Sequence, residues 1–229
     1  MGVRAGALVV CALVAAGCTG DGDGHVVRAD RDGVGAAVLE LAAGADSVRV
    51  EAADLGEDLY RVRTPDGSGV EPFLHDEQDD DVVRLGLRPV RDRSGAADVT
   101  ISVSSAVTWT IRLTGGAKSK TVDVTATRLT GLEIGGGSDR VEAALPRPAG
   151  TLPVRLTGGA STVALHLTGD APVEVELTGG AGGATVDGVA RSGIAGGTVL
   201  SQPEWAGASD RYAVEGVAGL GSLVVDRRP

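Results

Sequence analysis

One phrase recurs through the middle of the chain and restricts what it can fold into: Leu113-Thr-Gly-Gly116-Ala, Ile134-Gly-Gly-Gly137-Ser, Leu156-Thr-Gly-Gly159-Ala and Leu177-Thr-Gly-Gly180-Ala. The opening residues are 21, 22 and 21 positions apart, and nine residues after each stands another aliphatic residue or Ala: Val122, Ala143, Leu165 and Val186. Such a beat marks a structural repeat. Each unit is a two-stranded rung that cannot bury its apolar face alone, so rungs stack. The expectation is an all-β fold, a single-chain stacked β-solenoid of roughly 21-residue two-stranded rungs. On this reading Leu156 and Leu177 sit on adjacent rungs, about 4.7 to 4.9 Å apart.

The glycine doublets read as structural turns: Gly115 and Gly116, Gly135 and Gly136, Gly158 and Gly159, Gly179 and Gly180. A chain that reverses within a few residues often needs positive φ, which Gly adopts without a Cβ penalty. Stacked turns also bring backbones together and leave little space for side chains. A phosphate-binding loop is a poor match, because no doublet leads into Gly-Lys-Ser/Thr and a helix.

Aromatic residues make up 2% of the chain while Gly numbers 36, so a core of Val, Leu, Ile and Ala with tight turns is expected. No segment keeps a 3.6-residue apolar period, and Gly or Pro interrupts the chain often, which predicts almost no helix after the N-terminal segment. The formal charge of −10 disfavours nucleic-acid backbones and anionic headgroups as preferred partners, since both need a cationic face.

The chain opens with Arg4, an apolar stretch over 5–16 and then Ala15-Ala16-Gly17-Cys18. The apolar stretch is too short to span a bilayer. This resembles the lipobox of bacterial lipoproteins, in which cleavage precedes a lipid-modified Cys, although Ala15 stands where Leu is usual. The resemblance implies a lipoprotein signal peptide over 1–17, with Cys18 as lipidation site and membrane anchor on the outer face of the cell membrane. Cys11 and Cys18 are the two cysteines, so the remainder has no thiol for disulfide, metal or nucleophile chemistry. Residues 18–35, rich in Gly and Asp at first and without apolar period, read as a flexible tether, and 36–229 as the β-solenoid domain.

Within that domain 38–41 and 48–50 read as the strands of a first rung, with Gly44 at its turn and Asp46 in place of the second Gly. Residues 59–64 read as a strand closed by the turn Pro65-Asp66-Gly67. Residues 71–81 interrupt the pattern, and the acidic run 76–81 reads as a mobile loop. Strands resume at 82–87, 99–103 and 109–113, where Trp109 alternates in step with Ile111 and Leu113 and so faces inward.

The Gly-rich repeats, Trp109 before the first of them, and the closing Trp205, Tyr212-Ala-Val-Glu and Gly219-Leu-Gly-Ser-Leu-Val-Val-Asp226 resemble the toast-rack proteins. These are similar to the C-terminal domain of LiaF-type proteins and to adhesin-like β-solenoids. The resemblance covers about 36–226. It implies a stacked β-coil outside the membrane, tied in some members to envelope-stress signalling, and it brings no catalytic residues.

Little in the chain suggests catalysis. His166, between Leu165 and Leu167, alternates outward and reads as a solvated face residue. His25 falls in the tether. His75 beside Asp76, Glu77, Asp79, Asp80 and Asp81 offers a cation constellation without EF-hand spacing, so no metal and no cofactor is assigned. There is no Gly-x-Ser-x-Gly elbow and no His-Glu-x-x-His. The sequence thus favours a membrane-tethered extracytoplasmic lipoprotein with a non-catalytic binding or scaffold role, partnered by the membrane and by another envelope protein. Two alternatives stand beside it: an enzyme acting on envelope polysaccharide, and a sensor-associated partner of a membrane signalling protein.

Overall fold

The computed structural model describes residues 24–75 and 82–228. In chain order the strands are β1 (Val26–Asp30), β2 (Ala36–Leu41), β3 (Ala45–Ala53), β4 (Asp58–Arg63), β5 (Val70–Leu74), β6 (Val82–Pro89), β7 (Asp98–Ser104), β8 (Thr108–Leu113), β9 (Ala117–Asp123), β10 (Arg128–Ile134) and β11 (Ser138–Leu145). They continue with β12 (Thr151–Leu156), β13 (Ala160–Thr168), β14 (Val173–Leu177), β15 (Ala181–Val186), β16 (Val189–Ile194), β17 (Thr198–Ser201), β18 (Arg211–Gly216) and β19 (Leu220–Arg228). One 3-10 turn, Trp205–Gly207, lies between β17 and β18. No helix of the described residues is long and apolar enough to cross a membrane.

The rungs are real, and each contributes one strand to each of two sheets. β2/β3, β6/β7, β8/β9, β10/β11, β12/β13, β14/β15 and β18/β19 stack through parallel ladders. In-register stacking places like on like. Leu41, Leu113, Ile134 and Leu156 are consecutive partners in one sheet, and Val50, Val122, Ala143 and Leu165 in the other. All eight are almost fully buried. Each buried aliphatic side chain contributes about 1.5 to 3 kcal/mol, which a lone rung, open on both sides, largely forgoes.

The order of stacking departs from the sequence. One sheet runs β1-β4-β7-β3-β9-β11-β13-β19-β15-β16 and the other β5-β6-β2-β8-β10-β12-β18-β14-β17. The rung at 36–53 is therefore not at the end of the stack, because β6/β7 lies outside it. The last rung likewise enters between β12/β13 and β14/β15, so Leu156 and Leu177 each pair with Gly216 rather than with one another. The expected single-strand spacing between those leucines is replaced by two.

Antiparallel strands close the ends: β1 with β4, and β5, at one; β16 and β17 at the other. Each edge carries a feature that discourages further pairing. β1 has a register shift at Ala29/Asp30, β5 contains Pro72, β16 contains Gly193 at φ +62°, and β17 has four residues. The stack is capped rather than open to growth.

Two sequence expectations are corrected. The described part of the supposed tether is structured: β1 pairs with β4, and Val27 and Ala29 pack on the core, so the folded part includes residues ahead of 36. Residues 71–74, read as part of an interruption of the pattern over 71–81, belong to β5, which pairs with β6 as a Pro-containing edge strand permits. The acidic run 76–81 and residues 1–23 lie outside the described residues. Trp109 faces inward as expected, and its indole N–H donates to Ser104 O at 2.9 Å. Trp109→Phe should cost about 1 to 3 kcal/mol in urea unfolding, from the lost hydrogen bond and lost contact area.

Candidate functional site

The glycine doublets meet along one corner of the solenoid, where each rung passes from one sheet to the other. A continuous backbone ladder runs along it: Thr114 N–H to Leu41 O, Gly135 N–H to Leu113 O, Thr157 N–H to Ile134 O and Val217 N–H to Leu156 O, all at 2.9–3.0 Å. On the far side of the turn, Ala45, Ala117 and Ser138 donate to Gly116, Gly137 and Gly159. These bonds make Gly136 and Gly137 the counterparts of the other doublets. Gly135 takes the place held elsewhere by Thr114 and Thr157. By the same alignment Ala43 holds the first-glycine position of the 36–53 rung and Gly44 the second, which corrects the expected place of Asp46.

Space, more than φ, selects glycine at the first position. A Cβ on Gly115 would lie 2.0 Å from Ala43 O, on Gly136 2.6 Å from Gly115 C, on Gly158 1.7 Å from Gly136 O and on Gly179 2.4 Å from Ala218 C. Gly136 and Gly180 also have positive φ, whereas Gly159 does not. Beside this corner the ten-stranded sheet carries a shallow trough of about 630 Å³, with Lys118, Ser138, Asp139 and Ser161 on its walls. The Asp46 carboxyl is held below the usual carboxylate range by the Lys118 ammonium at 2.7 Å and by Ala97 N–H.

The nine-stranded sheet presents a row of charges that sequence reasoning missed. Side by side on adjacent strands stand Arg84, Glu40, Arg112, Glu133, Arg155, Glu215 and Glu176. Glu40 is bonded to Arg112 at 2.6 Å and Arg84 at 3.2 Å, and Arg155 to Glu215 at 2.8 Å. Arg112, the stronger influence, and Arg84 together hold the Glu40 carboxyl below the usual carboxylate range against the opposing effect of partial burial. Part of the signal was available, because Glu40, Arg112, Glu133, Arg155 and Glu176 each immediately precede the apolar residue that opens a turn. Opposite charges on neighbouring strands are favourable and like charges are not, so the Glu215–Glu176 step breaks the alternation near the β17 end.

The histidines occupy three different settings. His166 lies on the outward face as expected, but it is not the solvated residue expected: its side chain is 13% exposed, with Nδ1 2.6 Å from Asp226 and Nε2 3.4 Å from Glu142, which Arg228 also approaches. His25 is a correction, being 4% exposed, with Nδ1 2.8 Å from Thr64 Oγ1 and Nε2 2.7 Å from Arg93. Its partners lie far away in sequence, so no local pattern announced its burial. His75 stacks at a tilt on Phe73, 4.7 Å between ring centres, at the boundary of the described residues.

At the far cap, Asp170, Asp187, Gln202, Asp226 and Arg227 surround a second open hollow of about 420 Å³. Arg227 holds both oxygens of Asp187 at 2.9 Å and donates to the Gly169 and Ala171 carbonyls, while Gln202 donates to Asp187. Trp205 lies 4.5 Å from the Arg211 guanidinium and donates to Tyr212 O. Tyr212 itself is buried, and burial pushes its hydroxyl up to about 12. Among the described residues no three His, Cys, Asp or Glu side chains converge to hold a metal ion. The arrangement offers broad polar faces and shallow hollows whose charged groups engage one another. Cys18 lies outside the described residues.

No family model matches the chain, and no curated protein does. Among solved structures it is similar to a candidate cell adhesion protein from Clostridium sporogenes ATCC 15579, with a TM-score of 0.65 and 14% identity. The match covers 89% of this chain and 98% of that one. At such low identity the likeness is one of fold.

Proposed function

We propose that this chain is a lipoprotein of the bacterial cell envelope, anchored outside the membrane through Cys18, whose solenoid serves as a non-catalytic binding or scaffold surface. The observation that carries this reading is the pair of wide, regular outer sheet faces. On the nine-stranded sheet the outward charges are spent on each other across successive strands, as in Arg84–Glu40–Arg112 and Arg155–Glu215. Such a face suits contact with a large partner better than transformation of a small one, because catalysis needs groups free to act on a bound atom. The candidate adhesion protein of similar fold supports the same reading, as does the toast-rack resemblance. The closed caps support it too, since they leave the sheet faces rather than the sheet edges as the surface on offer.

The anchor follows from the apolar segment ending in Gly17-Cys18. Multiple acyl chains hold a protein on a membrane where one is marginal. Cys18→Ala is expected to abolish incorporation of labelled fatty acid and to move the protein from the membrane fraction to the soluble one, or to leave an uncut precursor. Unchanged labelling and processing would refute the anchor. The binding role is tested separately, by crosslinking the anchored protein in cells and comparing it with a variant in which Arg112 and Arg155 are both changed to Glu. A crosslinked envelope partner lost in that variant, with folding retained, is the expected result.

A further inference from the structure

The last rung stands between two parts of the molecule that are otherwise not laddered together. β14 pairs with β18 and β17, and β15 with β19 and β16. β12 and β13, which precede them in the chain, pair with β18 and β19 instead. Among the described residues, every ladder joining 173–201 to the rest of the solenoid therefore runs through 211–228. We propose that this last rung is a strap: residues 173–201 are held to the body through it and open with it as one cooperative unit.

The strap's backbone bridges the two sides residue by residue. Tyr212 lies between Leu152 and Val173, Val214 between Val154 and Val175, Leu223 between Val163 and Ala184, and Val225 between Leu165 and Val186. Its side chains do the same. Towards the body, the Tyr212 hydroxyl is 2.8 Å from Pro146 O and 2.9 Å from Thr168 O, Glu215 meets Arg155 and Asp226 meets His166. Towards the cap, Arg227 clasps Asp187.

Shape also fits the strap to this slot. Where other rungs open their turn with Leu or Ile, this one has Gly216, and where they continue with Ala or Ser it has Leu220. A Cβ on Gly216 would lie 2.8 Å from Leu177 Cδ2 and 3.6 Å from Leu220 Cδ1, so those two side chains occupy the space that the missing one leaves. When the strap is out, 173–201 retains the antiparallel pairings of β14 with β17 and β15 with β16. Small hairpins of this kind are marginal in water, so the unit has no independent reason to stay ordered.

Native-state hydrogen exchange on the full chain in rising denaturant tests this. Amides of β14–β17 are expected to join those of β18 and β19 on one opening isotherm, below that of β8–β11. Val225→Ala, in the fully buried middle of β19, should speed exchange of both groups by the same factor, at least tenfold, and leave β8–β11 unchanged. Tyr212→Phe is the milder companion, should Val225→Ala fail to fold, and should give the same pattern with a smaller factor. Acceleration confined to β18 and β19 would overturn the proposal, because 173–201 would then stand without the strap. Equal acceleration throughout, β8–β11 included, would overturn it as well.

Discussion

Gly158→Ala is expected to destabilise the fold by about 3 kcal/mol or more, while Gly159→Ala, one residue on, stays within about 1 kcal/mol. The new methyl at 158 would stand 1.7 Å from Gly136 O, 2.5 Å from Gly136 C and 2.7 Å from Gly136 N. All three are backbone atoms, and the turn is pinned on both sides by Thr157 N–H to Ile134 O and Ser138 N–H to Gly159 O. No side chain can rotate away, so two rungs must separate and weaken the ladder that joins them. At Gly159 the nearest obstacle is Gly219 O at 3.4 Å, and φ lies outside the left-handed region. There the smaller freedom of the unfolded Ala chain offsets part of any crowding. Urea unfolding of the two variants decides the matter. A larger loss at 159 than at 158 would mean that backbone conformation, and not rung spacing, selects glycine.

That contrast shows what the repeat made legible. Parallel in-register stacking puts equivalent residues over one another, so Leu113, Ile134 and Leu156, with Val122, Ala143 and Leu165, reveal both the rung and its inward face. It does not reveal the order of rungs, because the two sides of every rung present the same kind of backbone ladder. What orders them is tertiary, as in the exchange of large and small at Gly216 and Leu220. Gly216-Val-Ala-Gly219-Leu220 is the repeated phrase with its opening side chain moved four residues along, a change that hides the rung from a search for the opener. β1 was hidden differently. Val27 and Ala29 alternate with Val26 and Arg28, a pattern too brief to distinguish from a tether before its partner β4 is known. Most of the charge row needed no tertiary knowledge, since Glu40, Arg112, Glu133, Arg155 and Glu176 lie one residue before an opener, whereas Arg84 and Glu215 join it only through the ladders.

Alternation also carried a warning at one core position. Val122 faces inward, so Lys120, two residues before it in β9, must do so as well, and its neighbours across the ladders are Val48 and Val141. Lys120 is 1% exposed, and its ammonium donates to Gly135 O. Burial alone drives the Lys120 amine down to about 8 from an ordinary 10.5. The sign follows from proton counting. Below about pH 8 both native and unfolded chains hold the proton, and the native state bears the full cost of a buried cation. Between about 8 and 10.5 the unfolded chain keeps the proton while the native chain sheds it, so stability rises with pH. The span corresponds to about 3 kcal/mol. Lys120→Met fills similar volume without a charge and is expected to stabilise the protein at pH 7 by about 1 to 4 kcal/mol. Other groups titrate in alkali, so the informative quantity is the difference between the two proteins, from urea unfolding at pH 7 and again near pH 10. That difference should shrink as the wild-type amine becomes neutral. A Lys120→Met variant less stable than wild type at pH 7, or a gap indifferent to pH, would show that the ammonium is stabilised in its site rather than tolerated there.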